Sequence, residues 1–142
     1  MMDLRKEFPR SPKEQLDGYA HVARIIDKAR AHNAGMLGEY IYNCPMDQSW
    51  FQFTGVTAEA FSEAVRTRDD RQMAEWIRQT AQPHSKSEIE VWNRTLLSRT
   101  PSSPESQQRF LATRQKLAPE RTDITTWPDL IDLEEGRTVP KK

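Results

Sequence analysis

One cysteine, Cys44, serves 142 residues, so no internal disulfide can staple this chain. Glycine is scarce, with five in all. None falls in a phosphate-cradling loop, a dinucleotide fingerprint or a G-x-S-x-G nucleophile elbow, which excludes those three ways of building an active site. His21, His32 and His84 are scattered, with no H-x-x-x-H or E-x-x-H pair and no second cysteine, so no metal centre of familiar spacing is expected. Net charge is also missing: 21 basic residues balance 21 acidic ones. Attraction to a nucleic-acid backbone or an anionic lipid surface needs a cationic excess, and neither partner is expected. No run approaches the roughly 20 apolar residues of a membrane span, and the opening M-M-D-L-R-K-E-F-P lacks the apolar stretch of a signal peptide. The expected setting is the cytoplasm.

What the chain does have is aromatic bulk and well-punctuated helices. Apolar residues make up only 36%, but four Trp, five Phe and three Tyr are large pieces for a core. Each such side chain is worth roughly 1.5–3 kcal/mol when buried. Ser11-Pro12-Lys13-Glu14 has the form of a capping box with Pro at the first helical position, predicting a helix through Leu16, Tyr19, Ala23 and Ile26. Gly18 is its break point, and Asn33 and Gly35 its end. Glu39–Tyr42 is the one short segment expected to be extended. Cys44-Pro45 opens a helix that ends before Gly55, with Trp50, Phe51 and Phe53 on it. Thr57, Asp69 or Asp70, Ser85, Ser103 and Thr126 each start another. The expectation is an all-α fold, a single compact orthogonal bundle of about seven short helices. Residues 1–10 and 137–142 are expected to be loose arms.

The chemistry-bearing residues concentrate in two stretches. On the first helix Asp27 lies three residues from Arg24 and three from Arg30, so both cations can share its face. A solvated, ion-paired helix face is the ordinary account of that spacing. The sharper one has Asp27 orienting Arg24 and Arg30, with Lys28 beside them, toward a carboxylate or phosphate. The second stretch is Gly38–Trp50, G-E-Y-I-Y-N-C-P-M-D-Q-S-W. Cys44 would sit at a helix N-terminus, where backbone N–H groups favour a thiolate, although Asp47 in the first turn opposes it. A single cysteine is more often a small buried hydrophobe. Any histidine base would have to arrive through the fold. Tyr40 and Tyr42 are either hydrogen-bonding ligands or partly buried aromatics, and Asn43 is explained by capping alone. Asn93, beside Trp92 in mid-helix, has a hydrogen-bonding role to account for it.

These stretches resemble a small bacterial family known only as a domain of unknown function. The resemblance rests on Pro9-Arg10-Ser11-Pro12, Ile26-Asp27-Lys28-Ala29-Arg30-Ala31, Gly38–Gln48 and Trp92-Asn93, with Met46 where the family pattern has Leu. It covers nearly the whole chain and implies one self-contained domain, but it carries no activity. Two functional readings follow. In the first, a polar pocket between the Asp27 helix and the Tyr40–Asp47 segment binds a small polar or anionic metabolite. Asp27, Tyr42 and Cys44 are its catalytic candidates, and Arg24, Lys28, Arg30, Tyr40, Asn43 and Asp47 its ligand-binding ones; no cofactor is implied. In the second, the chain is a non-enzymatic protein-interaction module whose motif is structural, with an exposed patch around Trp50 or Trp127. The residues alone do not decide whether the protein is an enzyme.

Overall fold

The computed structural model describes residues 2–142. The described residues form a two-stranded hairpin, β1 (Gln15–Leu16) and β2 (Tyr19–Ala20), followed by seven helices. These are α1 (Val22–Asn33), α2 (Pro45–Thr54), α3 (Ala58–Ala64), α4 (Asp70–Thr80), α5 (Lys86–Leu97), α6 (Pro104–Leu117) and α7 (Trp127–Glu134). The fold is all-α, as the helix punctuation implies. Contacts divide it into two compact units with the boundary between Val91 and Trp92, inside α5.

Most helix starts lie where the capping residues put them. Thr57 Oγ1 accepts from Ala60 N, Asp69 Oδ1 from Gln72 N, Ser85 Oγ from Glu88 N, and Ser103 Oγ from Ser106 N. Each satisfies one of the orphan amides of a first turn.

Two expectations fail. Residues 12–21 are not helical: Ser11 Oγ caps a turn through Lys13 N, and His21 N returns to Pro12 O at 2.8 Å. Pro12 suits a turn as well as a helix start, and Asp17-Gly18 decides between them. Both adopt positive φ, 54° and 85°, as the centre of a tight antiparallel hairpin turn requires. Glu39–Tyr42 is not a strand either, but a run of turns and irregular backbone, with Tyr40 N bonding Leu37 O. Among the described residues it finds no strand to pair with, since the only extended pairing there is Gln15↔Ala20 and Leu16↔Tyr19.

In the first unit α1 is buried all round over its first two turns, Val22 through Ala29, while Arg30 and Asn33 are half-buried and His32 is exposed. The apolar centre is Trp50, Phe51 and Phe61 in mutual edge-to-face contact, at ring distances of 5.4 to 5.7 Å, with Met73 and Ile77 from α4. Trp50 is fully buried, so no exposed patch forms there. The N-terminal stretch, expected as a loose arm, is tied down by Leu4, which is buried and bonds Met36 O through its amide. In the second unit Phe110, Ile124, Leu130 and Val139 form the core, with Trp127 partly buried against them. Val139 anchors the C-terminal stretch, and Arg121 Nη2 bonds its carbonyl at 2.9 Å.

Gly38 reports on the N-terminal packing. Its φ is +61°, and a Cβ there would stand 3.1 Å from Leu4 O and 3.3 Å from Arg5 Cα. Gly38→Ala should lose about 1–2 kcal/mol from the left-handed backbone alone and more from the crowding. Gly35→Ala, at φ +68° with nothing within 4 Å, carries only the backbone cost. Urea unfolding of the two variants measures the difference. Equal losses would contradict the packing of the Leu4–Arg5 stretch on Gly38.

Candidate functional site

A helix buried on every side cannot leave a charge unpaired, because an isolated ion in a low-dielectric interior is costly. α1 carries Arg24, Asp27 and Lys28 at buried positions, and each has its own solution.

Asp27 is bound by Arg10, from the stretch before the hairpin. Arg10 N and Nε donate to Asp27 Oδ2 at 2.9 and 3.0 Å, and Nη2 donates to Oδ1 at 3.0 Å. The planar guanidinium fork then continues to Asp70 at the start of α4, with Nη1 donating to Oδ2 at 2.7 Å. Arg30 meets the same Asp70, 3.1 Å from Oδ1, rather than Asp27. Asp70 is held below the ordinary carboxylate range, the two arginines outweighing the upward push of burial. Arg24 donates to Arg10 O and lies 5.5 Å from the Tyr40 ring centre. Asp27 and Arg30 are thus linked through Arg10 and Asp70, and Arg24 reaches the Arg10 carbonyl.

Lys28 belongs to a second cluster, built around Asp47 in the first turn of α2. Asp47 Oδ1 is 2.7 Å from His21 Nε2, and Oδ2 accepts from Lys28 Nζ at 2.8 Å. The same Oδ2 accepts the backbone amides of Asn43 and Cys44, at 3.0 and 3.3 Å. Lys28 Nζ also lies 3.3 Å from Cys44 Sγ. His21, Lys28 and Asp47 are enclosed, whereas Cys44 is only partly buried. A gradient therefore runs from an enclosed carboxylate, through an enclosed ammonium, to a partly buried cysteine. Asp47 does not face the sulfur as a bare negative charge, because the Lys28 ammonium stands between them.

The protonation states follow from the environment. Burial pushes His21 below its ordinary value, against the pull of Asp47, so the ring is neutral at pH 7. Its Nε2–H then donates to Asp47, and Nδ1, which has no partner, is left as a bare acceptor. This tautomer is the favourable one, since an orphaned lone pair is tolerated better than an orphaned N–H. For Asp47, burial raises the carboxyl, but the His21 hydrogen bond and the Lys28 charge outweigh it and hold it at about 2. Backbone strain collects at the same place. His21 has φ 74° and Asn43 φ 67°, both left-handed, and both bond Asp47.

The tyrosines are fixed by local contacts. Tyr42 Oη donates to Ala58 O at 2.7 Å, and its ring stacks on His32. Burial, with Asp47 and Glu59 nearby, raises its phenol well above the ordinary value. Two central residues escaped the sequence reading. Arg10 carried a signal only as part of Pro9–Pro12, and His21 only as one of three scattered histidines. Among the described residues no group of three His, Cys, Asp or Glu is placed to hold a metal ion, and no helix is long and apolar enough to cross a membrane.

The two perturbed groups set a pH dependence. His21 has a lowered folded pKa, so the unfolded chain takes up its proton first as pH falls below the ordinary 6.5. Stability present above that point is lost progressively below it. Asp47 contributes stability above the ordinary carboxyl value of 3.8, lost as pH falls toward about 2. His21→Asn keeps a residue that tolerates left-handed backbone and removes the first titration. Thermal melts at pH 7.5 and 5.5 should show a smaller acid loss in this variant than in the wild type. Equal losses would place the titration elsewhere.

A protein-family model described as "Domain of unknown function (DUF5069)" matches residues 6–137. A search of the curated proteins finds no match. The match takes in the Arg10–Asp27 and His21–Asp47–Lys28 clusters and all seven helices, and the chain belongs to the DUF5069 family of domains of unknown function.

Proposed function

We propose that the domain handles a small polar or anionic metabolite at the mouth of the Asp47 cluster, with the Cys44 thiol as the reacting group. One observation carries this reading: the enclosed Lys28 ammonium sits between Asp47 Oδ2 at 2.8 Å and Cys44 Sγ at 3.3 Å. A cation donating to sulfur stabilises a thiolate, the form in which cysteine attacks an electrophile. Asp47 holds and aims Lys28, and His21 with two backbone amides keeps Asp47 in place. These three are positioning residues, and Cys44 alone would touch the substrate. Asp27 and Tyr42 have partners that account for them as structural groups: the Arg10 fork and the Ala58 carbonyl. An apolar pair of similar size in place of Lys28 and Asp47 would often be as stable. A buried ion cluster leading to a half-open thiol is therefore better explained by chemistry than by packing.

The rate at which iodoacetamide alkylates Cys44, followed by intact mass across pH 6–9, tests the reading. In the wild type the thiol should react faster at neutral pH than a free cysteine does. Lys28→Met should slow it about tenfold, as expected when one hydrogen bond from a charged group is lost. Asp47→Asn should give an intermediate rate. A Cys44 that reacts like a free thiol in wild type and Lys28→Met alike would end the proposal. In a metabolite screen by thermal shift, stabilisation by a polar ligand that disappears in Cys44→Ala would support it.

A further inference from the structure

The cations of this neutral chain are not evenly spread. Arg30 on α1 and Arg66, Arg68 and Arg71 around the α3–α4 connection line one open recess of about 800 Å³, with Thr67, Asp69 and Asp70. A second recess, about 480 Å³, is lined by Met2, Arg30, Asn33, Ala34, Val65 and Arg66. Arg30 and Arg66 belong to both, so the two are lobes of one groove, arginine-rich at one end and apolar-walled at the other. Each lobe is of a size that holds a small metabolite. Arg30 is two residues beyond Lys28, about 200° around the helix, so the groove lies on a different side of α1 from the thiol cluster.

The recess carries four arginines against two acids, and one of those acids is already ion-paired. Asp69 caps Gln72 N, and Asp70 is shared by Arg10 and Arg30. Arg30 donates once more, to Arg68 O, Arg66 donates through Nε to Glu63, and Arg68 donates to Ala64 O while lying over Trp76. Arg71 comes no nearer than 4.0 Å to Glu75, with its side chain 89% exposed. A guanidinium carries five N–H donors, so these contacts use a minority of what the four groups present. Planar forks lining an open recess suit a tetrahedral oxyanion, each able to bind two oxygens. In the apolar lobe Asn33 spends its amide nitrogen on Ser62 O, which leaves its amide oxygen as an acceptor for a ligand hydroxyl or amine.

We propose that this groove is a binding site for a small phosphorylated metabolite, with the phosphate among Arg30, Arg66, Arg68 and Arg71 and a compact apolar body against Met2, Ala34 and Val65. Neither Cys44 nor Lys28 takes part, so the site stands independently of the thiol chemistry. Calorimetric titration of the full chain at fixed ionic strength, with phenyl phosphate, inorganic phosphate, phenol and a twelve-residue oligothymidylate as probes, tests it. Phenyl phosphate should bind saturably and more tightly than inorganic phosphate, and phenol should not bind. Arg66→Ala with Arg71→Ala should weaken phenyl phosphate about tenfold or more, as the loss of charged hydrogen bonds implies. Both arginines are at the surface, with side chains 51% and 89% exposed, so the double variant should melt near the wild type. Arg71→Gln alone provides a milder check and should weaken binding in the same direction. No saturable binding of either phosphate, undiminished binding in both arginine variants, or tighter binding of the oligonucleotide than of phenyl phosphate would each overturn the proposal.

Discussion

Over its first two turns α1 is enclosed on all sides yet carries charge, and much of the first unit is arranged to satisfy that constraint. A helix buried all round normally reads as apolar throughout. Here Arg24, Asp27 and Lys28 interrupt Val22, Ala23, Ile25, Ile26 and Ala29. Each charge must find a counter-charge or a carbonyl. The partners are brought from elsewhere in the chain: Arg10 from the N-terminal stretch, Asp47 from α2 and Asp70 from α4. Ion pairs thus fix which segments lie against α1, and the aromatic cluster of Trp50, Phe51 and Phe61 supplies the burial that encloses them.

The two charge clusters are built differently. Around Asp27 the fork of Arg10 fills both carboxylate oxygens and passes on to Asp70 and Arg30, which reach the surface with partly exposed side chains. Such a chain of pairs is a lock between segments, with its loose end at an arginine-lined groove. Around Asp47 everything but the thiol is enclosed, and two residues accept left-handed backbone to complete the shell. Strain of about 1–3 kcal/mol per residue persists only where the surroundings over-determine it. The neutral His21, donating through Nε2, orients Asp47 without cancelling its charge, and that charge is then balanced by Lys28.

Helix starts were legible because their signals are local. Thr57, Asp69, Ser85, Ser103 and Thr126 cap helices through bonds three residues long, and a bond of that span needs nothing beyond its own sequence. The hairpin was misread because Ser11-Pro12-Lys13-Glu14 satisfies a turn and a helix start equally. The Asp17-Gly18 pair, which settles the matter, took on meaning only with the flanking residues paired across it. Glu39–Tyr42 alternates like a strand, but alternation without a partner edge makes none.

The candidate site divides along the same line. The sequence by itself determined that Asp47 would sit in the first turn of α2, that Pro45 would start that helix, and that Asp27, Lys28 and Arg30 would share α1. All of these are consequences of spacing within one element. Only the tertiary structure decided that Asp27 answers to Arg10, that Lys28 stands between Asp47 and Cys44, and that His21 closes the shell. Those pairings span 16 to 26 residues and depend on which segments pack against α1. No periodicity encodes them, because a charge on a buried helix specifies that it needs a partner and not where in the chain that partner lies.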